Sequence, residues 1–346
     1  MSKNIFVPGR LCVLGEHSDW AAGHRRQNSD IEKGYAIVAP TNRGNYASIE
    51  RHDKPSLLFT QNGTTTEIPY DVEKLKLSAQ KGGYFSYICG VLYQILSSYE
   101  NIPGVVINNY KTDLPLKKGL SSSASICVLV AKAYNTICDL NWTTKREMEI
   151  AYLGEVTTPS RCGKLDQACA YSNPVLIEFD GDNIEVEEIY PKNDLYMIIV
   201  DLHSSKNTKK ILSSLNSGFP FPSTVQEKEK HKCLGPINKA NVLNAKKLIE
   251  NGDNSGLGKA LVKSQKDFDD MLAPTCKELQ APILHKIINS NLISDHILGA
   301  KGVGSQGDGS AQILVESKEK QKLVSDILTN NYDVSCIPLT IKKGQE

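Results

Sequence analysis

Charge of one sign is what this chain most plainly lacks. Its 40 lysines and arginines meet 39 aspartates and glutamates, for a formal net charge of +1 over 346 residues. That balance gives no case for binding nucleic acid or an acidic membrane surface. No apolar run approaches the roughly 18 to 20 residues that a membrane span requires. The N-terminus, Met1-Ser-Lys-Asn-Ile-Phe6, lacks the charged-then-apolar layout of a secretion signal. Nine cysteines are scattered without a Cys-x-x-Cys pair, and Cys162 and Cys169 are spaced for no common metal site. Reduced, mostly buried thiols in a cytoplasmic protein are expected, rather than a disulfide framework or a zinc centre. Internal repeats, heptads and low-complexity tracts are missing too. An ordinary globular composition over this length leaves room for two layered domains with proper cores.

What is present centres on Leu114-Pro-Leu-Lys-Lys-Gly-Leu-Ser-Ser-Ser-Ala-Ser-Ile-Cys-Val128. Gly119 permits close backbone approach to a ligand, and three serines then open an apolar helical run. Ser121, Ser122 and Ser123 combine hydroxyls with the unpaired first-turn N–H groups of that helix, whose dipole favours an anion. Phosphate is the natural guest. No Gly-Lys-Ser/Thr follows at Walker A spacing, so a different phosphate loop is implied. A Ser-rich cap on a buried helix is the plain alternative.

Two further stretches accompany it. Val7-Pro-Gly-Arg-Leu-Cys-Val-Leu-Gly-Glu-His-Ser-Asp-Trp20 lies near the N-terminus, and Gly299-Ala-Lys-Gly-Val-Gly-Ser-Gln-Gly-Asp-Gly-Ser-Ala311 near the C-terminus. In the first, a strand over residues 5–15 delivers Glu16, His17 and Asp19 to a loop. Such groups are costly to bury unpaired, so they address water, a polar ligand or each other. Between the outer motifs, Glu155 on a helix ending near Pro159 and Asp166 in Cys162-Gly-Lys-Leu-Asp-Gln167 stand eleven positions apart.

Taken together, these segments resemble the GHMP kinases (galactokinase, homoserine kinase, mevalonate kinase, phosphomevalonate kinase), in the family's order and over nearly the whole chain. The Cys-Gly-x-x-Asp-Gln signature is similar to that of the galactokinase branch. The resemblance implies an α+β, two-domain fold, with an N-terminal ribosomal protein S5 domain 2-like domain, a C-terminal ferredoxin-like domain and an active site in the cleft between them. The change of texture near 185 suggests domains over 1–185 and 186–346. The resemblance further implies an ATP-dependent kinase acting on a monosaccharide hydroxyl, most simply the anomeric one, with Mg²⁺.

Carried over position by position, the resemblance makes Asp166 the catalytic base or orienting group and places Arg10 across the transferred phosphoryl group. Glu16, His17 and Asp19 would grip sugar hydroxyls. Lys117, Gly119, Leu120, Ser121, Ser122, Ser123, Ala124 and Ser125 would bind the nucleotide. Ser123 and Glu155 would ligate the metal, with Ser122 the alternative serine. The partners implied are a sugar and ATP, for a monomer or a homodimer. Rival readings are a kinase of mevalonate or another small alcohol, and a sensor that binds sugar and ATP without turnover.

The chain also departs from the family pattern. Ala21 to Asp30 is longer and more polar than the turn expected there, and its Arg25 and Arg26 either reach an anionic sugar or are solvated or paired with protein acids. In the glycine-rich segment, Ser305, Gln306 and Asp308 replace smaller or apolar residues. The remaining expectations are strand, turn, strand over 37–47; an aromatic helix over 82–96; a strand over 105–109; a helix over 125–140; a buried strand over 196–202; long helical patterns over 224–251 and 257–291; and closing strands over 311–316 and 334–341.

Overall fold

The structure is a computed structural model that describes residues 2–114, 120–160 and 162–344. By compactness it divides into one unit of residues 1–10 and 40–172 and another of 11–39 and 173–346. This division follows spatial proximity, whereas the cut at 185 follows sequence texture. It assigns residues 11–39, including Glu16, His17 and Asp19, to the second unit.

Strand β1 (Lys3–Leu14) is followed by the short helix α1 (Ser18–Gly23) and by β2 (Gly34–His52). The turn expected within 37–47 is absent, and β2 runs unbroken through Pro40 and Gly44. Its second half lies in the first unit and pairs antiparallel with β5 (Gly104–Thr112). There β3 (Ser56–Gln61) lies parallel to β5, and β4 (Thr64–Pro69) closes the edge as an antiparallel hairpin partner of β3. Alternation along β3 and β5 sends Leu57, Phe59, Val105 and Ile107 inward, all fully buried. Four helices complete this unit: α2 (Val72–Lys81), α3 (Tyr84–Ser98), α4 (Ser122–Ile137) and α5 (Thr144–Val156). Asp71 and Thr143 accept from the N3 amides of α2 and α5, so both helices begin on side-chain caps.

Two glycines decide how α3 meets α5. A Cβ at Gly90 would stand 2.1 Å from the Gly154 carbonyl oxygen, and one at Gly154 would stand 2.7 Å from the Val91 backbone nitrogen. The two backbones therefore touch, which fixes the height at which the next residue, Glu155, enters the core.

In the second unit, the first half of β2 pairs with β6 (Val175–Asp180), which forms a hairpin with β7 (Asn183–Glu188). The chain then runs through β8 (Leu195–Asp201), α6 (Thr208–Asn216), α7 (Val225–Lys232), α8 (Asn238–Asn251), α9 (Asn254–Met271) and α10 (Pro282–Ile288). It closes with β9 (Gly299–Gly302), β10 (Ser310–Val315), α11 (Lys318–Asn331) and β11 (Ser335–Ile341). The helical pattern over 224–251 is interrupted at Cys233–Ile237, where Gly235 and Pro236 sit in a π turn. That over 257–291 breaks where Pro274 and Pro282 deny the helix amide donors.

The last four strands lie antiparallel in the order β11-β8-β10-β9. Numbered along the chain this is 4-1-3-2, the ferredoxin-like order. Ile198, Val200, Ile313 and Val315 from the sheet pack with Leu284 and Ile287 of α10 and Val324 and Leu328 of α11 in one core cluster. A second cluster gathers Ile211, Leu215, Leu234, Phe268 and Leu272, with Trp20 and Phe219 against it. Among the described residues, no helix is long and apolar enough to cross a membrane. All nine cysteines are free, and burial pushes the thiols of Cys89, Cys127 and Cys169 above their usual range.

Candidate active site

The first unit brings together Arg10, Ser121, Ser123, Glu155 and Asp166. Ser121 takes a left-handed conformation (φ 50°, ψ 56°) immediately before α4, a strained backbone for a residue other than glycine. The bend turns its hydroxyl onto Asp166, with Oγ donating to Oδ1 at 3.0 Å. Asp166 opens a short 3₁₀ turn, Asp166–Ala170, buried from Gln167 onward. Arg10, at the end of the β1 segment in this unit, also reaches Oδ1, through Nε at 3.0 Å and through a second guanidinium nitrogen. The Arg10 amide donates to the Leu120 carbonyl at 3.2 Å, which ties β1 to the entrance of α4. A carboxylate gripped by a planar two-nitrogen fork is fixed in orientation.

Glu155 is fully buried. Gln167 Nε2 donates to its Oε2 at 2.8 Å, and Ser160 Oγ donates to its Oε1 at 3.3 Å. Burial pushes its carboxyl above the usual range, the Asp166 charge adds to that, and hydrogen bonds led by the one from Ser123 oppose it. A buried carboxylate beside a hydroxyl, in a site already carrying a second carboxylate, suits a hard divalent cation with oxygen ligands. Ser123 and Glu155 fit a magnesium ion on that ground. No cluster of three or more His, Cys, Asp or Glu suited to a metal occurs among the described residues, so such an ion would draw further ligands from elsewhere.

The serines divide by environment. Helix α4 starts at Ser122, three residues before the expected start, so Ser122 and Ser123 occupy its first turn, half-buried. Ser125 is fully buried, donates to the Val7 carbonyl at 3.2 Å and accepts from Asn45 Nδ2 at 2.8 Å. That bonding removes the Ser125 hydroxyl from the expected nucleotide contacts and assigns it to joining α4 to the sheet. Leu120 and Ala124 turn their side chains into the core, leaving only backbone groups for a ligand. Lys117 and Gly119 lie outside the described residues.

The second unit holds the other candidate residues. Glu16 accepts from Lys301 Nζ at 2.6 Å, and the lysine side chain is fully buried. His17 is buried against Phe268, with ring centroids 6.2 Å apart, and its Nδ1 accepts from Trp20 Nε1 at 3.0 Å. Burial pushes its pKa down to about 3, with the positive charges of Lys206 and Lys301 adding to the effect, so the ring is neutral near pH 7. Asp19 stands in the first turn of α1, with Oδ1 accepting from the Trp20 amide at 2.8 Å. A polar cavity of about 30 Å³ lies beside Glu16, His17, Asn238, Asp267 and Gln306, enough for ordered water and too small as it stands for a hexose.

The long loop after α1 is held by protein acids. Arg25 donates to Asp180 at 2.7 Å and to the Ser29 and Ile31 carbonyls, and Arg26 pairs with Asp182 at 3.1 Å. Of the two roles open to these arginines, the structure supports pairing. Several residues that bear on the site were not singled out in the sequence: Lys301, Lys206, Gln167 and Ser160. Lys301 sits inside the glycine-rich segment, where a lone lysine between glycines was the available signal.

Residues 86–173 match the GHMP kinases N terminal domain. A galactokinase of Pyrococcus furiosus is 25% identical, the alignment covering 96% of this chain and 94% of that protein. A galactokinase of Thermotoga petrophila is 26% identical over 95% of this chain and 93% of its own length. The fold is that of Lactococcus lactis galactokinase complexed with galactose (TM-score 0.72, 17% identity, 99% of this chain and 94% of that one). It is equally that of Methanococcus jannaschii mevalonate kinase (TM-score 0.69, 18% identity, 100% and 99%).

Proposed function

We infer that this chain, a galactokinase-like GHMP kinase carrying that family's N-terminal domain over residues 86–173, is an ATP-dependent kinase. Its acceptor is an alcohol group of a small sugar. One observation carries the reading: Asp166 is oriented by Arg10 and by Ser121 at the start of the Ser-rich helix. An acid poised where a helix start can hold phosphate is the arrangement that phosphoryl transfer needs.

In the reaction, an acceptor oxygen forms a bond to the γ-phosphorus as the bond to the ADP oxygen breaks. Asp166 orients the hydroxyl and takes up its proton. Arg10, held beside that carboxylate, places positive charge next to the group in transfer. The first-turn amides of α4 and the hydroxyls of Ser122 and Ser123 bind phosphate oxygens. Ser123 and Glu155 would hold Mg²⁺, which when bound neutralises charge on the nucleotide phosphates. The acceptor is gripped by the Glu16, His17 and Asp19 loop, and the anomeric hydroxyl is the proposed target, giving a sugar 1-phosphate.

The test is ADP release from ATP over a panel of free sugars with mevalonate included, followed by identification of the phosphorylated carbon. Turnover of mevalonate with refusal of every sugar would move the chain to the mevalonate branch. Nucleotide and sugar binding without ADP release would make it a sensor.

A further inference from the structure

Polar groups without partners collect in the second unit around His17. Three buried side-chain atoms lack a well-formed hydrogen bond there: Ser305 Oγ, Gln306 Oε1 and His17 Nε2, the His17 ring meeting only the Ser305 backbone on that side. Native interiors leave few such atoms, and three in one neighbourhood point to something polar that completes them. The neighbourhood is one place. Ser305 backbone lies at the His17 ring, and Gln306 lines the same cavity as Glu16 and His17.

The charges of the cluster do not cancel. Lys301 is committed to Glu16 Oε1 and to the Gly302 carbonyl at 2.8 Å. His17 is neutral. Lys206, half-buried, adds a second ammonium, whose hydrogen bond is a long one of 3.3 Å to the Val303 carbonyl. A Cβ at Gly309 would lie 2.8 Å from Lys206 Cε, so the glycine is what lets this side chain lie along the turn. Asp267, which lines the same cavity, is paired with Lys263 at 2.6 Å, so Glu16 alone faces the two ammonium groups and one positive charge is left in excess.

We propose that Lys206, with His17, Ser305 and Gln306, forms a subsite for the carboxylate of a sugar acid, so that the acceptor is a hexuronate rather than a neutral hexose. A neutral sugar has hydroxyls for the three orphaned atoms but none of the charge that Lys206 lacks; a uronate supplies both. Burial lowers the Lys206 pKa to about 8, and a neighbouring carboxylate would restore its charged form. Arg25 and Arg26, the other cations near this part of the sequence, are already paired with Asp180 and Asp182. The proposal rests on the sugar-kinase reading.

The experiment measures kcat/KM for ADP release with galacturonate, glucuronate, galactose and glucose, using the wild-type chain, Lys206→Met and Lys206→Arg. The expected result is a preference of about tenfold or more for at least one uronate over its parent hexose. Lys206→Met should abolish most of that preference, leaving the uronate and its parent hexose within about threefold of each other, chiefly through a raised KM for the uronate, and Lys206→Arg should retain most of it. A wild-type enzyme that prefers the parent hexoses overturns the subsite and leaves the kinase reading intact. Equal losses on acidic and neutral sugars in Lys206→Met also overturn it, because the lysine would then serve the phosphoryl group. Should no sugar release ADP, the kinase reading falls, and calorimetry of the wild-type protein with both uronates decides the subsite: binding upholds it, and no binding overturns it. The wild-type comparison needs no variant, so a misfolded Lys206→Met does not shelter the proposal.

Discussion

Arg10 and Asp166, 156 positions apart, meet through two guanidinium nitrogens on a single carboxylate oxygen. The arginine fixes where that acid points. Neither side chain is held alone: the guanidinium orients the carboxylate, and the carboxylate anchors the guanidinium.

Asp166→Asn should abolish ADP release, with a loss of about a thousandfold or more, while the protein still binds ATP in calorimetry. Arg10→Lys should reduce kcat by roughly ten- to a hundredfold, since an ammonium cannot reproduce the planar fork. An Asp166→Asn variant with near-normal kcat would remove that residue from the chemistry.

Ser123→Ala should raise the Mg²⁺ concentration needed for half-maximal turnover without unfolding the chain. The hydroxyl bonds Glu155 in the structure and is the neutral half of the proposed ligand pair. If the Mg²⁺ titration does not move, Ser122 is the serine to replace next.

Gly154→Ala should destabilise the protein by about 1–3 kcal/mol, read as a lowered denaturation midpoint. The added methyl would collide with the Val91 backbone. It should also depress kcat more than an exposed substitution of equal cost, because Glu155 is displaced with its helix. Equal kcat at equal stability would separate the packing of α3 and α5 from the site.

Acid should weaken the second unit through His17. Its pKa falls from 6.5 when unfolded to about 3 when folded, so below pH 6.5 the unfolded chain binds the extra proton and the folded one does not. The stability is fully present above pH 6.5 and is lost progressively down to about pH 3. At 1.36 kcal/mol per unit, the loss is roughly 2 kcal/mol at pH 5 and roughly 5 kcal/mol at full protonation. His17→Asn should flatten this part of the stability profile relative to wild type between pH 6.5 and 4. Parallel profiles would assign the acid sensitivity to carboxylates instead.

Much of this was legible in the chain because it is local. The serines at the start of α4, the glycine turn before Asp166 and the helix bearing Glu155 each announce themselves within a dozen residues. The closing strands alternate or run apolar as strands do. The expected turn within β2 failed because Pro40 and Gly44 usually break strands, yet this one tolerates both. The role of Ser125 was hidden because its partners, Val7 and Asn45, come from distant strands. Lys301 was hidden for the same reason: a buried lysine leaves no periodic trace, and only the fold reveals that its counter-charge is Glu16. The pairing of Arg25 with Asp180 was likewise decided by the β2–β6 register, which no local pattern carries.

The bond from Lys301 to Glu16 joins positions 285 apart, and Gln312 reaches back to the Cys12 and Val13 carbonyls over a comparable span. A ribosome that has released the first fifty residues has therefore made a loop with nothing to close on. Until residues beyond 300 emerge, Glu16 is an acid without its base. Translation itself thus sets the order of assembly, and the loop carrying Glu16 is finished among the last parts of the molecule.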